Sequence, residues 1–577
     1  MAIVVQDLEY VHPGGGLLFS GVSFRVGDKE HAALVGVNGV GKTTLMRLLA
    51  RELTPSQGVI QIDGRVQFMP QQIGRMYARA TVRELLATVS GEPYRQRALE
   101  LIQAERTLET DYSDAAGEAL ANAIAHWGEV GGYQQEGVWD RVTSLVLGQS
   151  LDDASDRLVN ELSGGEQKRL ALEMLVASDS ENVLLDEPDN YLDIAGKRWL
   201  ERRLNELNKT LLMISHDREL LVRAARKIVT LEGYGAWVHG ESFATYNEVR
   251  TARQERLEEA LVRWNEEERR LYRHMRIMKQ RAAISDGNAS QADAAETRWK
   301  KFVDAGPPEA PVRNQNIHMR LRGSESGRKV VECLGLRIAQ VVNPFDALVM
   351  YGERVAVVGP NGSGKSHFIR LLAGDAVEHG GEVRLGARIK VGHFSQTHEH
   401  PEWSGKTVKE ILADAGLSFA SSMATLARYE LQGCVDQTFE TLSGGQQARL
   451  QVLLLERGGA NLLLLDEPTD NLDLDSSEAL ERALDGFTGT VVGVTHDRWF
   501  MRQFDRFLYF DHLGDVAEAR DLDTILPVLA GEATAQSLGP RLKRLTLAPA
   551  SSSPGRPANP APVTAPTDRA RRRQNTR

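Results

Sequence analysis

The sequence predicts an α/β protein in which one domain occurs twice. With 577 residues, the chain is too long for a single hydrophobic core. Four stretches recur in the same order: LVGVNGVGKTTLMRLLA as VVGPNGSGKSHFIRLLA, NELSGGEQKRLAL as ETLSGGQQARLQV, VLLDEPDNYLD as LLLDEPTDNLD, and LLMISHDREL as VVGVTHDRWF. In both copies, short apolar runs typical of buried strands alternate with helical patterns. Duplication of one α/β domain accounts for all of these features.

Composition narrows the class of protein. The net charge is −10, so any contact with nucleic acid must come from local basic patches. Two cysteines, Cys333 and Cys434, are too few for a disulfide framework or a zinc cluster and suit a reducing compartment. The N-terminal MAIVVQDLEY does not resemble a signal peptide, and no apolar run approaches the roughly 20 residues that span a bilayer. We therefore expect a cytoplasmic protein.

Each copy begins with a glycine-rich loop that is typical of phosphate binding. Residues 36–43 and 359–366 match G-x-x-x-x-G-K-[ST] between a strand-like run and a helical pattern. Backbone N–H groups of such a loop surround phosphates, the lysine meets the β- and γ-phosphates, and the hydroxyl residue binds Mg²⁺. The predicted ATP-binding residues here are Gly36, Val37, Asn38, Gly39, Val40, Gly41, Lys42, Thr43 and Thr44, and Gly359, Pro360, Asn361, Gly362, Ser363, Gly364, Lys365, Ser366 and His367.

Two carboxylates follow a short buried strand in each copy, in NVLLDEP and NLLLLDEP. The first is expected to complete the Mg²⁺ shell, and the second to polarise the attacking water as a general base. A histidine after the next apolar strand, in LLMISH and VVGVTH, is placed to reach the γ-phosphate. The predicted metal ligands are Thr43, Asp186, Ser366 and Asp466, and the predicted catalytic residues are Glu187, Glu467, His216 and His496.

The order of these motifs resembles that of the ATP-binding cassette (ABC) ATPases. In that family two cassettes close head to tail, and each ATP lies between one phosphate loop and the LSGG signature of the other cassette. The resemblance implies ATP hydrolysis with ATP and Mg²⁺ as cofactors. It also implies Gln71 in VQFMPQQ and Gln396 in VGHFSQ as Mg²⁺-sensing glutamines, and Tyr10 as the ring that stacks on adenine.

The resemblance also implies which residues share a site. Site one combines the phosphate loop of the first copy with the second signature, namely Lys42, Thr43, Asp186, Glu187 and His216 with Ser443, Gly444 and Gly445. Site two combines Lys365, Ser366, Asp466, Glu467 and His496 with Ser163, Gly164 and Gly165.

Several departures from the family pattern predict that the two sites differ in rate or affinity. The second copy offers only Ile338 or its neighbours where an adenine-stacking ring is expected, and His367 replaces a small hydroxyl residue. Asp189 and Tyr191 alter the segment after the first DEP. Both catalytic glutamates are nevertheless present, so both sites are expected to hydrolyse ATP.

The first copy contains a helical insertion. Gln71 and Leu162 are 91 positions apart, whereas Gln396 and Leu442 are only 46 apart, so the first copy has about 45 additional residues. Their apolar spacing is helical and predicts an α-helical arm at about 93–135.

The segment between the copies predicts a long charged hairpin of two helices. Apolar residues at helical spacing run from Leu257 to Met278, and SDGNAS then predicts a turn. The first helix, from about Asn247 to Ala283, would be on the order of 55 Å long. Basic residues without an intervening acid crowd towards its end, which suits contact with RNA phosphates. These predicted RNA-contacting residues are Arg269, Arg270, Arg273, Arg276, Lys279 and Arg281.

Two cassettes, an arm and a charged linker on one chain resemble the ABC-F family of translation factors. The predicted domains are 1–245 and 326–528, joined by a linker at 246–325. They are followed by a disordered, basic Pro/Ala/Ser-rich tail at 529–577. The resemblance implies a monomer that binds the ribosome, with rRNA and tRNA near the exit and peptidyl sites as contacts.

Within this family, two functions remain open: general translation factor and ribosome protection that gives antibiotic resistance. The divergent motifs and the basic tail favour the second. Two other classes share the cassette chemistry, namely the ATP-binding subunit of a drug exporter and a DNA-directed ATPase. A long basic hairpin between the cassettes argues against the exporter subunit, and the lack of a very long coiled coil and of a zinc ligand set argues against the DNA-directed ATPase.

Overall fold

The computed structural model describes residues 2–546 except 72, 74–76, 78, 285–288, 313–316, 396–399 and 471, and the side chains of 419–421. It confirms the predicted α/β class and the duplication. Each copy contains a three-stranded antiparallel sheet and a larger, mostly parallel sheet.

The first domain is built around a six-stranded sheet. In spatial order its strands are Val66–Met69, Asn182–Asp186, Thr210–Ile214, His31–Val35, Lys227–Glu232 and Gly235–His239; the last is antiparallel. The antiparallel sheet contains Leu17–Val26, Ile3–Val11 and Gln57–Ile62. Its helices outside the insertion are Lys42–Leu49, Val82–Val89, Leu151–Ala154, Gly164–Ala177, Ile194–Glu206 and Arg218–Ala224.

The second domain repeats this arrangement. Its larger sheet runs Val391–Phe394, Leu462–Asp466, Thr490–Val494, Arg354–Val358, Arg506–Phe510, Val516–Ala519 and Lys543–Arg544, of which the first five are parallel. The antiparallel sheet contains Val342–Met350, Lys329–Ile338 and His379–Leu385. Its helices are Lys365–Ala373, Val408–Asp414, Phe419–Arg428, Gly444–Gly458, Leu474–Asp485 and Leu522–Leu529.

The central strands are short and apolar because both of their faces are covered by helices or by the second sheet. All five residues of Asn182–Asp186 and of Leu462–Asp466 are buried. Strands that are buried on both faces read as continuous apolar runs, as the sequence indicated. The carboxyl ends of these parallel strands therefore present their first polar residues at one shared edge of the sheet, where the site lies.

The insertion of the first domain forms three helices, Tyr94–Thr110, Asp114–Glu129 and Gly132–Leu147. Two fully buried rings hold it to the domain: Trp127 and Trp139 lie with centroids 5.6 Å apart, and the Trp139 indole N–H donates to the Ser90 hydroxyl at 2.8 Å. The predicted range of about 93–135 covers the first two helices and only the start of the third.

The linker is the predicted helical hairpin, made of Tyr246–Ala282 and Ala289–Asp304. Rings on the facing sides of the two helices hold them together: Trp264 stacks on Phe302 with centroids 5.4 Å apart, and Tyr272 lies 5.5 Å from Trp299. The predicted turn residues 285–288 lie outside the described residues.

One residue attaches the base of the hairpin to both domains. Arg250 Nε lies 3.3 Å from the Glu232 carboxylate of the first domain, and its Nη1 lies 3.0 Å from Asp475 of the second. Burial lowers the pKa of the guanidinium, but Asp475, Tyr246 and Glu232 more than offset this and raise it. Near its start, the linker helix is therefore held to both domains by the ion pairs of Arg250.

Residues 530–546 differ from the prediction, which assigned them to a disordered tail. Lys543–Arg544 adds an antiparallel strand beside Val516–Ala519, and Thr546 bridges to Phe345. Arg544 also pairs with Asp515 at 2.6 Å. Leu538, Leu542 and Leu545 pack against the second domain, so the boundary predicted at 529 is too early. Residues 547–577 lie outside the described residues.

Among the described residues, no helix combines the length and apolar character that crossing a membrane requires.

Candidate functional site

Each phosphate loop connects a buried parallel strand to a helix and passes close to a neighbouring strand. A Cβ atom at Gly36 would lie 2.3 Å from the carbonyl oxygen of Leu231, and one at Gly359 would lie 2.0 Å from that of Phe510. Neither position accepts a side chain, which explains the first glycine of each motif. The loops therefore expose main-chain N–H groups at a helix N-terminus, as anion binding requires.

The loop lysines lie inside their own loops. Lys42 Nζ donates to the Gly36 oxygen at 2.7 Å, and Lys365 Nζ donates to the oxygens of Gly359 and Pro360 at 3.0 and 2.7 Å. Burial lowers the pKa of both ammonium groups, and the nearby carboxylates of Glu187 and Glu467 are the largest charges that oppose this shift. Each lysine is thus a buried cation at the position predicted for phosphates.

A hydroxyl and a carboxylate lie together in each copy. The Ser366 hydroxyl donates to Asp466 at 3.2 Å. In the first copy, burial raises the pKa of Asp186, and Thr43 lies close enough to oppose this shift, while neither Asp186 carboxylate oxygen has a hydrogen-bond partner among the described residues. Hydroxyl and carboxylate oxygens are hard ligands, so these two pairs fit Mg²⁺ that is also bound by phosphate oxygens.

The catalytic glutamates predicted from sequence follow the strand that carries these aspartates; Glu467 is buried and Glu187 is partly buried. Glu187 accepts hydrogen bonds from the Gln71 amide and from Asn190 Nδ2, the latter at 2.5 Å. Burial, together with the charge of Asp186, raises the pKa of Glu187 to about 7. In the second copy, the main-chain N–H of His496 donates to the Glu467 carboxylate at 3.0 Å. Burial raises the pKa of Glu467 well above its usual range.

The predicted histidines lie beside these glutamates. The Nε2 atom of His216 is 3.9 Å from Glu187 Oε1, and that of His496 is 3.5 Å from Glu467 Oε1. Burial and the adjacent loop lysine lower the pKa of His216 to about 3, and the same two causes lower that of His496. Both imidazoles are therefore neutral at pH 7.

A cavity of about 770 Å³ brings together the predicted members of site one except Asp186, which is buried and does not line it. The first phosphate loop, Gln71, Glu187 and His216 form one wall, and the second signature forms the other. Ser443 caps the helix Gly444–Gly458 by accepting from the Gln446 N–H, so the positive end of that helix faces the first phosphate loop. The predicted residues that line this cavity are Asn38, Gly39, Gly41, Lys42, Thr43, Thr44, Gln71, Glu187, His216, Ser443, Gly444 and Gly445.

Reciprocal contacts arrange the two domains head to tail. The Asn38 N–H donates to Asp473 Oδ2 at 3.1 Å, and Asn361 Nδ2 donates to the Tyr191 oxygen at 3.1 Å. Ile194 packs into the core of the second domain, and Leu474 packs against that of the first. Each phosphate loop thus contacts the segment that follows the carboxylate pair of the other domain.

Site two is described less completely. The charge of Asp193, from the first domain, acts on Lys365, so the two domains approach each other there as well. Ser163 caps the first signature helix through the Glu166 N–H, as Ser443 does in the second. Gln396 lies outside the described residues.

Buried ion pairs cross the domain interface next to the sites. Arg498 Nη2 lies 2.5 Å from Glu201 and 3.3 Å from Asp217. From the opposite side, Arg218 Nη1 lies 3.1 Å from Glu481. Arg218 and Arg498 are the last residues of SHDR and THDR, so the arginine that both copies share at this position contacts the opposite domain.

The adenine-stacking prediction for Tyr10 needs correction. Tyr10 is only 8% exposed and packs against Phe19 in the core, with ring centroids 6.2 Å apart. His12 instead lines the site-one cavity. The prediction considered only Tyr10, which lies within the strand Ile3–Val11, whereas His12 follows the end of that strand.

Sequence reasoning also missed several residues that line site one. These come from the segment after the first carboxylate pair and from the second domain near its signature: Asn190, Tyr191, His400, Pro401, Ser404, Phe439, Glu440 and Asp470. Asp193 and Asp473, which lie near the phosphate loop of the opposite domain, were also missed. They occupy matching positions in DNYLD and TDNLD, so the repeat could have identified them. The repeat offered no signal for His400, whose ring stacks on Trp403 with centroids 3.8 Å apart.

The six predicted RNA-contacting residues are all exposed, but they are not equivalent. Arg270 pairs with Glu267 at 2.5 Å, and Lys279 pairs with Glu296 at 2.7 Å. Within the described part of the chain, Arg269, Arg273, Arg276 and Arg281 have no ion pair. Arg269, Arg273 and Arg276 are spaced four and three residues apart and form one stripe, here called the basic stripe.

One phosphate loop faces the signature of the other domain across a shared cavity, and each domain carries both motifs. This arrangement defines a tandem ABC ATPase, and the protein is an ATP-binding enzyme that hydrolyses ATP. A family model described as ABC transporter matches residues 19–190 and 342–470, one match in each domain. The chain is 46% identical over 543 residues to an antibiotic resistance protein of Mycobacteroides abscessus, covering 90% of this chain and 98% of that protein.

Two other relatives indicate to which family of ABC proteins the chain belongs. The chain is 30% identical over 499 residues to ABC transporter F family member 2 of Arabidopsis thaliana, covering 84% and 72% of the two chains. It is 30% identical over 503 residues to the energy-dependent translational throttle protein EttA of Escherichia coli K12, covering 83% and 86%. The chain belongs to the ABC-F family.

Proposed function

We propose that this protein is a cytoplasmic, monomeric ATPase that binds the ribosome and protects it from antibiotics. In this proposal the two domains close on ATP and open after hydrolysis, and the hairpin enters the ribosome near tRNA at the exit and peptidyl sites. General regulation of translation is the other outcome to be tested. The name of the Mycobacteroides relative, antibiotic resistance protein, supports protection, and that of EttA supports regulation.

In the proposed chemistry, both ATP sites use the chain's own carboxylates as bases. Glu187 and Glu467 accept a proton from the water that attacks the γ-phosphate. A pKa of about 7 lets Glu187 take up this proton near neutral pH. The neutral imidazoles of His216 and His496 lie next to these carboxylates and are placed to hydrogen-bond to the water or to the γ-phosphate.

Mg²⁺ and the phosphates would be held by groups that already lie together. Thr43 with Asp186 and Ser366 with Asp466 would bind Mg²⁺, which supplies positive charge for the phosphate oxygens. Lys42 and Lys365 would neutralise the β- and γ-phosphates. The opposing signature helix adds its positive end, so ATP stabilises the closed pair of domains.

The observation that carries ribosome binding is the hairpin with its basic stripe. The helix Tyr246–Ala282 contains 37 residues and extends about 55 Å. The basic stripe lies in its distal half, away from the contact of Arg250 with both domains. Exposed arginines without acidic partners are suited to RNA phosphates, and their position lets them reach RNA while the domains close on ATP.

Sedimentation with ribosomes tests the proposal. The variant Glu187→Gln, Glu467→Gln should close on ATP without hydrolysing it. It is centrifuged through sucrose with 70S ribosomes, in the presence or absence of ATP and at two salt concentrations. We expect ATP-dependent co-sedimentation that weakens when Arg269, Arg273 and Arg276 are changed to alanine and falls as salt rises.

A control variant distinguishes loss of RNA contact by the basic stripe from a general loss of positive charge on the helix. Arg256 and Arg263 lie on the same helix, nearer the domains, and Arg263 pairs with Glu259 at 3.0 Å. Changing these two to alanine should leave co-sedimentation close to that of the parent. Absence of ribosome binding with ATP refutes the proposal. Translation with and without peptidyl-transferase inhibitors then separates protection from regulation.

A further inference from the structure

A buried lysine distinguishes the two ATP sites. Lys168 lies in the helix Gly164–Ala177, is 3% exposed, and donates a hydrogen bond from Nζ to the main-chain oxygen of Glu187. Burial lowers the pKa of its ammonium group, and the carboxylates of Asp189, Glu187 and Asp186 oppose that shift. The ammonium group of Lys168 therefore contacts the main chain of Glu187, the proposed general base of site one, although Lys168 does not line the cavity.

The backbone that Lys168 contacts is in an unfavourable conformation. Glu187 has a φ of 49°, in the left-handed region that non-glycine residues rarely occupy. Such a conformation persists only where neighbouring groups enforce it. The Glu187 N–H donates to the Ile214 oxygen at 2.9 Å, and Lys168 binds its carbonyl. Both main-chain polar groups of Glu187 are therefore bound, which restricts the direction of its carboxylate.

The second copy provides an internal comparison. Its glutamate, Glu467, has almost the same φ of 47°, and its N–H donates to the Val494 oxygen at 3.0 Å. The residue that matches Lys168 in the repeat is Ala448, which has no side-chain donor. The residue that matches Asp189 is Thr469. The lysine and a nearby carboxylate are thus present together in the first copy and replaced together in the second.

We propose that Lys168 is a positioning residue for hydrolysis in site one, where it fixes the main chain of Glu187 and so aims its carboxylate at the attacking water. Site two works without this contact, so the two sites depend on different neighbours for the same step. The proposal rests on the role of Glu187 as the base of site one.

The test isolates site one. In a Glu467→Gln background, turnover comes from site one. There, Lys168→Met, which keeps the length of the side chain, should lower kcat about tenfold or more while KM for ATP stays within about twofold, because positioning of the base affects the chemical step. Lys168→Arg, which retains a donor, should restore much of kcat.

Another lysine of the same domain, Lys209, which is half-buried, serves as the control. Lys209 Nζ donates to the main-chain oxygens of Leu175 and Ser178 at 2.9 and 2.6 Å. Lys209→Met should lower the temperature of unfolding without the loss in kcat. An equally large loss in kcat for this variant would overturn the proposal, since general destabilisation would then explain both.

Two further outcomes are distinguishable. If Glu187→Gln, Glu467→Gln still hydrolyses ATP, the role of the glutamates fails, and this proposal fails with it. If that variant is inactive but Lys168→Met keeps its kcat in the Glu467→Gln background, only the role of Lys168 is overturned. An equal fold loss on adding Lys168→Met to Glu187→Gln, where site two alone turns over, also overturns it.

Discussion

Replacing Arg498 with alanine should weaken closure of the two domains. The Arg498 side chain is 4% exposed and contacts Glu201 at 2.5 Å and Asp217 at 3.3 Å, both across the interface. These contacts exist only while the domains are together. The substitution therefore removes free energy from the closed form and leaves each separate domain nearly unchanged.

The free energy that the closed form loses depends on which ion pairs remain after the substitution. Removing one partner of a buried ion pair costs about 3 to 5 kcal/mol. Here Glu201 keeps Arg198 at 3.2 Å, and Asp217 keeps Lys197 at 3.1 Å, so neither carboxylate loses all of its neutralisation. We therefore expect about 2 to 3 kcal/mol, which corresponds to a roughly 30- to 150-fold shift of the closing equilibrium.

The assay measures closure directly. Fluorophores on the two domains report their separation by energy transfer while ATP is titrated into Glu187→Gln, Glu467→Gln, with and without Arg498→Ala. Arg502→Ala, four residues further on in the short 3-10 helix Phe500–Gln503 and exposed, is the control. A double-mutant cycle with Glu201→Gln isolates the pair. A coupling energy below about 0.5 kcal/mol, or an equal loss of stability in the unliganded protein, would refute the reasoning.

Three other predictions concern the sites. In a Glu467→Gln background, His12→Ala should raise KM for ATP about tenfold by removing a ring from the side of the cavity proposed for adenine, whereas Tyr10→Leu, which removes the other ring but keeps its apolar volume, should not; equal effects would restore Tyr10 as the stacking residue. In a Glu187→Gln background, Ser366→Ala should raise the Mg²⁺ concentration for half-maximal turnover, and an unchanged Mg²⁺ titration would contradict the assignment of Ser366. The third prediction concerns pH. Burial alone would raise the pKa of Asp217, but Lys197 and Arg498 lower it to about 2. Its stabilising contribution is therefore complete above the unfolded value near 4 and is lost as the pH falls towards 2, so thermal unfolding between pH 5 and pH 2 should depend less on pH in Asp217→Asn than in the parent.

Local motifs made much of the fold and site predictable. Gly36 and Lys42, or Asp186 and Glu187, are neighbours in sequence, and their chemistry depends on one strand and the turn after it. The duplication then predicted the second site from the first. The pairing of Lys42 with Ser443 came from family resemblance, because nothing in the spacing alone determines how two domains meet.

The residues that were missed depend on contacts between distant segments. In the sequence, Arg498 is a charged residue after a strand, and nothing in the pattern predicts its partner. Its contact with Glu201 forms only when the two domains pack together. Lys168 lies inside a helix whose pattern gives no sign of its contact with Glu187. The boundary at 529 was placed too early because Gly539 and Pro540 interrupt this stretch and argue against a regular element there, although Leu538, Leu542 and Leu545 pack against the second domain.

Attachment of the hairpin through Arg250 has a mechanical consequence. A helix about 55 Å long that is fixed at one end acts as a lever, so a rotation of about 10° at its base moves its far end by about 10 Å. Arg250 contacts Glu232 and Asp475, so a change in the angle between the domains either breaks this contact or turns the base of the hairpin. A rearrangement of a few ångströms around ATP is thereby enlarged to a displacement of about one helix diameter at the tip.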